Sequence, residues 1–419
     1  MALRHPSFFA ILNTQQLFIM FTLINPHGKL VIIDDPKEYE SWKNTPGFIV
    51  PTKKEADRLL EERNQRLTQT GEPESNMKSL YMATVSPDKK DGYTVASTAI
   101  IKELKQFGID AQLHYDDQKI SLLFHNPYSL TRLESPYKIL YTMFESDKLP
   151  DDWRGYLELA DEILVPSRWV QSVFKKFGFP SRVVPLGYDD RVFKFHQREN
   201  KRETHQTFNF LHYNAYNIRK GFNEVLKAFV KAFEPGEPVK MIFKTNVSPL
   251  PFPLHKSQYP NIEVIQGKFN DTEMVQMLND ADAFVFPSRG EGFGVPPLEA
   301  MATGLPTIVP NAHGISEYFN QDYMYEVKVK ETCPALYSRY KGQDTGKMVV
   351  CDVDDLAAQM RYIYEHQKEG IHKGELASEY VKAWTFQNTA KELKKVLDEA
   401  FEKDIEEDPL RNKLVLQSI

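Results

Sequence analysis

The sequence predicts an α/β protein. Two Rossmann-like, doubly wound domains stand in tandem and face a cleft, behind a small α+β module at the N-terminus. Three observations predict this. From residue 79 short apolar runs alternate with amphipathic helical patterns, as in a parallel sheet covered on both faces. The alternation stops in the polar stretch "DDRVFKFHQRENKRETHQ" (189–206) and then restarts. The chain has 419 residues, which is a length for about two or three domains rather than one.

The elements follow in chain order. Residues 1–19 read as a loose extension, and 20–70 as the small module. In the module, "FTLINPHGKLVIID" predicts a hairpin of two apolar strands joined at Pro26-His27-Gly28. "PKEYESWKN" and "TKKEADRLLEERNQRL" predict helices, the second opened by Thr52 with Glu55 three residues on, a capping-box pattern. Residues 68–78 are polar, with Gly and Pro, and read as a linker.

The N-terminal Rossmann-like domain spans 79–195. Its strands are "SLYMATV", "IDAQLHY", "ISLLFHN", "YKILYTMF", "EILVPS" and "SRVVPLG". Its helices are "VASTAIIKELKQFG", a stretch near 152–160 and "RWVQSVFKKFG". The C-terminal domain spans 205–385, with strands "TFNFLHYN", "VKMIFKT", "IEVIQG", "AFVFPS" and "PTIVP". Helices are expected at "GFNEVLKAFVKAF", "DTEMVQMLNDA", "PPLEAMATG", 354–368 and 375–405. The segment 386–405 is expected to pack back on the N-terminal domain, and 406–419 to form a tail.

Bulk composition excludes several classes. Hydrophobic residues make up 41% and aromatic residues 12%, enough for packed cores and unlike a collagenous or disordered chain. A net charge of −6 gives no general attraction for polyanions such as nucleic acid. The two cysteines, Cys333 and Cys351, lie in no Cys/His cluster, so a zinc site is not expected. The apolar start "FFAILNTQQLFIMFTLI" is broken at Asn13-Thr14-Gln15-Gln16 and falls short of the ~20 apolar residues of a membrane helix. The expectation is a cytoplasmic protein with no transmembrane segment.

The chemistry concentrates in "SRGEGFGVPPLEAMATGLPTIV" (288–309). Ligands of open parallel sheets bind beyond the carboxyl ends of the strands, and this stretch runs from such an end into a helix. Gly290, Gly292 and Gly294 let the backbone approach a ligand closely. Pro296 or Pro297 suits a first helical turn, and the helix start favours phosphate. Glu291 is expected in the loop, and Glu299 in the first turn of the helix. Together they bracket a phosphate-binding turn with carboxylates that accept hydroxyl protons. Polyhydroxy groups flanking a diphosphate describe a nucleotide-sugar. The plain alternative is a pair of helix-start carboxylates that complement the dipole.

"EGFGVPPLEAMATGLPTIV" resembles the E-x7-E segment of retaining glycosyltransferases of the GT-B fold, family-4 type. "YTMFESDKLPDDW", "ADEILVPSRWVQSVFKKFG", "VVPLGYDDRVF" and "RKGFNEVLKAFVKAF" resemble that family in order and spacing, across roughly 79–400. The resemblance implies roles by position. Glu291 would touch hydroxyls of the donor sugar, and Glu299 those of the ribose. Gly294 and Val295 would give their amides to the diphosphate, with Gly292 and Phe293 also in the donor site. Lys220, with Arg219, would stabilise the departing diphosphate electrostatically, with no metal and no further cofactor.

The chain departs from the family pattern in two places. Ala215 stands where many relatives carry an arginine, and Arg219 is the candidate to compensate. No histidine ends the strand "YTMFESD", where Glu145 is the polar candidate; His125 is the weaker one, against plain packing. Gly92, in the loop "SPDKKDGYT" after the first Rossmann strand, is a candidate for the donor site, against a plain turn. His313 and Gly314, in "PNAHGISEYF", are candidates for the base or sugar pocket.

The expected activity is retaining transfer of a hexose or pentose from a nucleotide-diphosphate donor to an acceptor hydroxyl, on a glycan, a lipid, a protein or modified DNA. Two alternatives stand beside it. The small leading module and otherwise stripped-down chain would suit a glycosyltransferase acting on a macromolecule such as a modified DNA base. Ala215 and the missing histidine suggest a nucleotide-sugar-binding protein without catalysis.

Overall fold

The computed structural model describes residues 21–24, 30–33, 49–52, 55, 58, 78–84, 92–112, 118–246, 259–403 and 405. The expected extension 1–19, most of the linker, the loop 85–91 and the tail 406–419 lie outside the described residues. The chain divides into two compact units, Met1–Asn76 and Met77–Ile419.

In the first unit β1 (Phe21–Ile24) pairs antiparallel with β2 (Leu30–Ile33), Phe21 opposite Ile33. At Thr52 the hydroxyl accepts the amide of Glu55 at 3.3 Å, one half of the expected capping box.

The second unit holds two six-stranded parallel sheets. The first contains β3 (Lys78–Ala83), β4 (Ile109–Gln112), β5 (Ile120–Phe124), β6 (Tyr137–Tyr141), β7 (Glu162–Val165) and β8 (Arg182–Val183), in the order β4-β3-β5-β6-β7-β8. The second contains β9 (Phe208–Tyr213), β10 (Val239–Thr245), β11 (Ile262–Gln266), β12 (Ala283–Val285), β13 (Thr307–Val309) and β14 (Tyr325–Glu326), in the order β11-β10-β9-β12-β13-β14. Counted within each domain, the orders are 2-1-3-4-5-6 and 3-2-1-4-5-6. The second is the dinucleotide-fold order, which reverses direction at its first strand and opens a crevice there. β5 and β6 are buried at every position, as strands covered on both faces must be.

Helices cover both sheets. α1 (Gly92–Gln106), α2 (Trp153–Leu157) and α3 (Arg168–Phe177) belong to the first domain. α3 begins at Ser167, whose hydroxyl accepts the Val170 amide at 3.2 Å, and ends at Gly178 with φ of 97°. α4 (Phe222–Ala232), α5 (Asp271–Asp280), α6 (Val295–Ala302), α7 (Val353–Glu365) and α8 (Gln367–Tyr380) belong to the second. The helix expected over 375–405 is instead two: α8 stops, and α9 (Phe386–Phe401) starts from Thr385, whose hydroxyl caps Asn388 at 3.3 Å. The break is useful. It lets the chain cross back, with Tyr188 bridged to Thr385 and α9 carrying Glu399 to Arg182 (2.6 Å) and Asp398 to Lys78 (2.9 Å) of the first domain.

Besides the sixth strand β14, two features were not expected. Residues 189–206 are not simply a polar joint: Arg198 is buried and donates to the carbonyls of Leu278, Asn279, Ala281 and Thr303. Free carbonyls at helix ends need such donors. And β15 (Val329–Pro334) pairs antiparallel with β16 (Lys347–Cys351), in a stretch to which the sequence assigns no element.

Candidate active site

The site forms where the carboxyl ends of β9 and β12 meet the first domain. After β9, the turn Asn217–Gly221 presents the basic pair. The Asn217 side chain accepts the Arg219 amide at 2.9 Å, and Gly221 takes φ of 77°. After β12 comes the loop with Glu291. The two loops are joined by the Arg289 amide donating to the Arg219 carbonyl at 2.7 Å.

Glu291 is 7% exposed and fully engaged. One carboxylate oxygen accepts from Lys220 Nζ and from Ser288 Oγ, both at 2.6 Å; the other faces Arg219 Nη1 at 3.1 Å. Arg219 also reaches Glu145 across the cleft, at 3.3 Å. Glu145 belongs to the first domain, so the basic pair is shared between a carboxylate from each domain. Burial pushes the Glu291 carboxyl up, but Lys220 and Arg219 outweigh it and hold it at about 2. Burial, with Arg219 beside it, lowers Lys220. Burial also acts against charge on Arg219, but Glu145 and Glu291 raise it overall.

The loop continues into α6. Gly294 precedes the helix with φ of 90°, and its carbonyl accepts the Tyr318 hydroxyl at 2.5 Å. A side chain there would be strained, since φ is left-handed and Tyr318 lies 3.1 Å from the position of a Cβ. Pro296 and Pro297 carry no N–H, so Gly294 and Val295 supply the amides of that turn. Phe293 contributes backbone alone: its ring is buried against Tyr318 and Trp384. Gly292 gives its carbonyl to Ser167 Oγ at 2.9 Å.

Glu299 lies in the second turn of α6, not the first, because the helix starts at Val295. Its carboxylate accepts the Tyr213 hydroxyl from the end of β9. Burial raises Glu299 to about 7; the Tyr213 bond opposes this, and Asp271 adds to it. His313 has φ of 54°, and its ring lies 4.4 Å from that of Trp169, centroid to centroid, across the cleft. Burial lowers it to about 4.

The structure brings Arg219, Lys220, Glu291 and Glu145 into one cluster, with Gly292, Gly294 and Val295 on the adjoining turn. It does not bring Gly92 there by any described contact. Gly92 opens α1, exposed, with nothing within 4 Å of a Cβ position. Sequence reasoning missed Ser288, Ser167, Tyr213 and Tyr337, the last of which donates its hydroxyl to Glu145 at 3.4 Å. Tyr213 carried a signal, since it ends a strand whose carboxyl end faces the crevice. Among the described residues no group of three or more His, Cys, Asp or Glu side chains is placed to hold a metal ion. No helix among them is long and apolar enough to cross a membrane.

Comparison with known proteins gives a family match for part of the chain and a fold match for most of it. Residues 193–331 match the family described as Glycosyl transferases group 1. A protein of Sulfolobus islandicus filamentous virus, provisionally named glycosyltransferase 45, is 23% identical over 57% of this chain and 67% of its own. The serotype-specific mannosyltransferase WbdA of Escherichia coli is 38% identical over 63 residues, 15% of this chain but only 8% of its own length. Among solved structures, HepE of Anabaena in complex with UDP-glucose superposes with a TM-score of 0.57 at 12% identity, covering 77% of this chain and all of that one. The fold is GT-B, and residues 193–331, which hold the basic pair, both glutamates and the glycine loop, match the glycosyl transferases group 1 family.

Proposed function

We propose that the protein is a retaining glycosyltransferase of the family-4 type. It moves a hexosyl or pentosyl group from a nucleotide-diphosphate donor to an acceptor hydroxyl. The observation that carries this reading is the buried Lys220–Glu291–Arg219 cluster beside the amides of Gly294 and Val295. The solved structure of HepE with UDP-glucose, on the same fold, supports a nucleotide-sugar as donor.

In this reading the diphosphate lies on the Gly294–Val295 turn, with the ribose at Glu299 and the sugar at Glu291. The acceptor oxygen bonds to the anomeric carbon on the face from which the diphosphate leaves. The acceptor proton passes to the departing diphosphate. Negative charge grows on that diphosphate, and Lys220 and Arg219, already fixed and desolvated, stabilise it without reorganising. The Glu145 side chain meets the same cations from the acceptor side. Contacts between the loop and the first domain exclude water and so limit hydrolysis of the donor.

The test is a panel of nucleotide-sugars scored first by thermal shift, then by slow hydrolysis of the donors that bind. Binding by at least one donor, with hydrolysis abolished in Glu291→Ala, is the expected result. Binding with no turnover by any donor leaves a sugar-nucleotide-binding protein. No binding at all overturns the reading.

A further inference from the structure

The hairpin β15–β16 belongs to the second domain by sequence and to the first by packing. It leaves the second sheet just after β14 and returns to it at α7. Between these points its tip enters the first domain. Tyr340 packs in that domain's core among Phe144, Trp153 and Leu130, and accepts Trp153 Nε1 at 3.1 Å. Ser146, fully buried, donates to the Thr345 carbonyl at 2.6 Å. Asp147 closes a two-way bond with Lys347: its amide donates to the Lys347 carbonyl at 3.3 Å, and its side chain accepts the Lys347 amide at 2.6 Å. Gly346 permits this contact. It takes φ of 79°, and a Cβ there would run into the Asp147 carboxylate and the Lys148 amide.

The other end of the hairpin grips the catalytic loop. Val349 donates its amide to the Arg289 carbonyl at 2.9 Å, two residues before Glu291. Between the two anchors, Tyr337 turns inward. Its ring lies 5.0 Å from that of Phe144, and its hydroxyl donates to Glu145 at 3.4 Å. The other Glu145 oxygen faces Arg219 at 3.3 Å. Both bonds are long, as such bonds often are before a substrate draws a site together.

We propose that Val329–Cys351 is an interdomain strap: its docking on Phe144–Trp153 sets the closure of the cleft, and Tyr337 is a positioning residue that holds Glu145 toward Arg219. This rests on the proposed function for the chemistry, but not for the docking. Burial, and Glu145 beside it, push the Tyr337 hydroxyl well above its ordinary range, so it stays a donor. A carboxylate with one oxygen on a fixed hydroxyl cannot swing away when Arg219 turns to a charged substrate.

Two variants of the whole chain separate the parts. Gly346→Ala attacks docking and is read by hydrogen–deuterium exchange without any substrate. Exchange is expected to rise at least tenfold at the amides of Asp147 and Lys347, while β9 and β12 stay protected. Unchanged protection at those amides overturns the strap; loss of protection throughout means that the variant unfolds, and Asp147→Ala then gives the same readout. Tyr337→Phe keeps the ring and removes the hydroxyl. It is expected to lower kcat about tenfold, with the donor KM within twofold and exchange unchanged. A kcat equal to that of the parent protein overturns the positioning role. If the parent protein turns over no donor, the proposed function fails, and the exchange result alone decides the strap.

Discussion

Lys220 Nζ lies 2.6 Å from Glu291 Oε1, while Arg219 faces the other oxygen at 3.1 Å. Two cations thus share one buried carboxylate, and Glu145, 3.3 Å from Arg219, brings the four-group cluster to neutrality before a ligand arrives. Lys220→Ala keeps Glu291 paired through Arg219 but removes the point charge aimed at the leaving group. Losing one preorganised donor typically lowers kcat about 100- to 1000-fold. Lys220→Arg is expected to rescue less than a tenth of the rate, because the guanidinium is planar and larger. Steady-state kinetics with the donor identified by thermal shift checks both.

The same cluster makes Glu291 an acid-sensitive support. Its folded carboxyl sits at about 2, against 4.5 ordinarily. A depressed carboxyl contributes stability that is fully present above 4.5 and is lost as pH falls toward 2. Glu291→Gln has no such dependence, and it strands the buried Lys220 while Arg219 keeps Glu145, a change that costs about 3–5 kcal/mol. Urea unfolding at pH 6 is expected to show that deficit. At pH 3 the gap between the two proteins narrows by about 2 kcal/mol, at ~1.4 kcal/mol per unit. A gap independent of pH contradicts the assignment.

Glu299 has the opposite sign. Its carboxyl is raised to about 7 by burial, so the folded protein resists its ionisation while the unfolded chain permits it from 4.5 upward. The cost is absent below 4.5, grows up to about 7 and stays constant beyond. Glu299→Gln is therefore expected to be more stable than the parent at pH 8, by about 1–3 kcal/mol, and not at pH 4. Its nucleotide affinity is expected to be lower at pH 8, where the parent offers a carboxylate to the ribose. A variant no more stable at pH 8 shows that Tyr213 satisfies the ionised form.

These behaviours show how far the sequence could be read. The alternation of strands and helices revealed both sheets, because parallel strands buried on two faces are apolar throughout. Arg219, Lys220 and Glu291 were legible because glycines, prolines and charges stood at a strand end. Local pattern could not show that α6 starts one residue earlier than expected, at Val295, which puts Glu299 in its second turn, since boundaries depend on how the loop packs. The hairpin was illegible for a different reason. Val329–Pro334 reads "VKETCP", mostly exposed, with no apolar periodicity. Its stability comes from Tyr340 and Thr345 buried in another domain, a contact that no local pattern encodes.

The last prediction concerns how the glycine loop meets the first domain. A Cβ on Gly290 would overlap the Glu145 carbonyl, which is backbone and held by its neighbours. A Cβ on Gly292 would come within 2.6 Å of the Met143 Cβ, also in the first domain. A carbonyl and a Cβ are both fixed to their backbone, so neither can step aside without moving the chain. Overpacking against rigid structure costs about 1–3 kcal/mol. Here that cost falls on closure rather than on folding, because the two partners lie in different domains. Gly290→Ala is therefore expected to hold the cleft ajar and slow transfer at least tenfold, with melting temperature lowered by less than about 4 °C. Gly292→Ala is expected to slow transfer as well. Kinetics beside small-angle scattering decides the matter: unchanged rates in both variants, or no change in compactness in Gly290→Ala, would show that the loop does not set the gap.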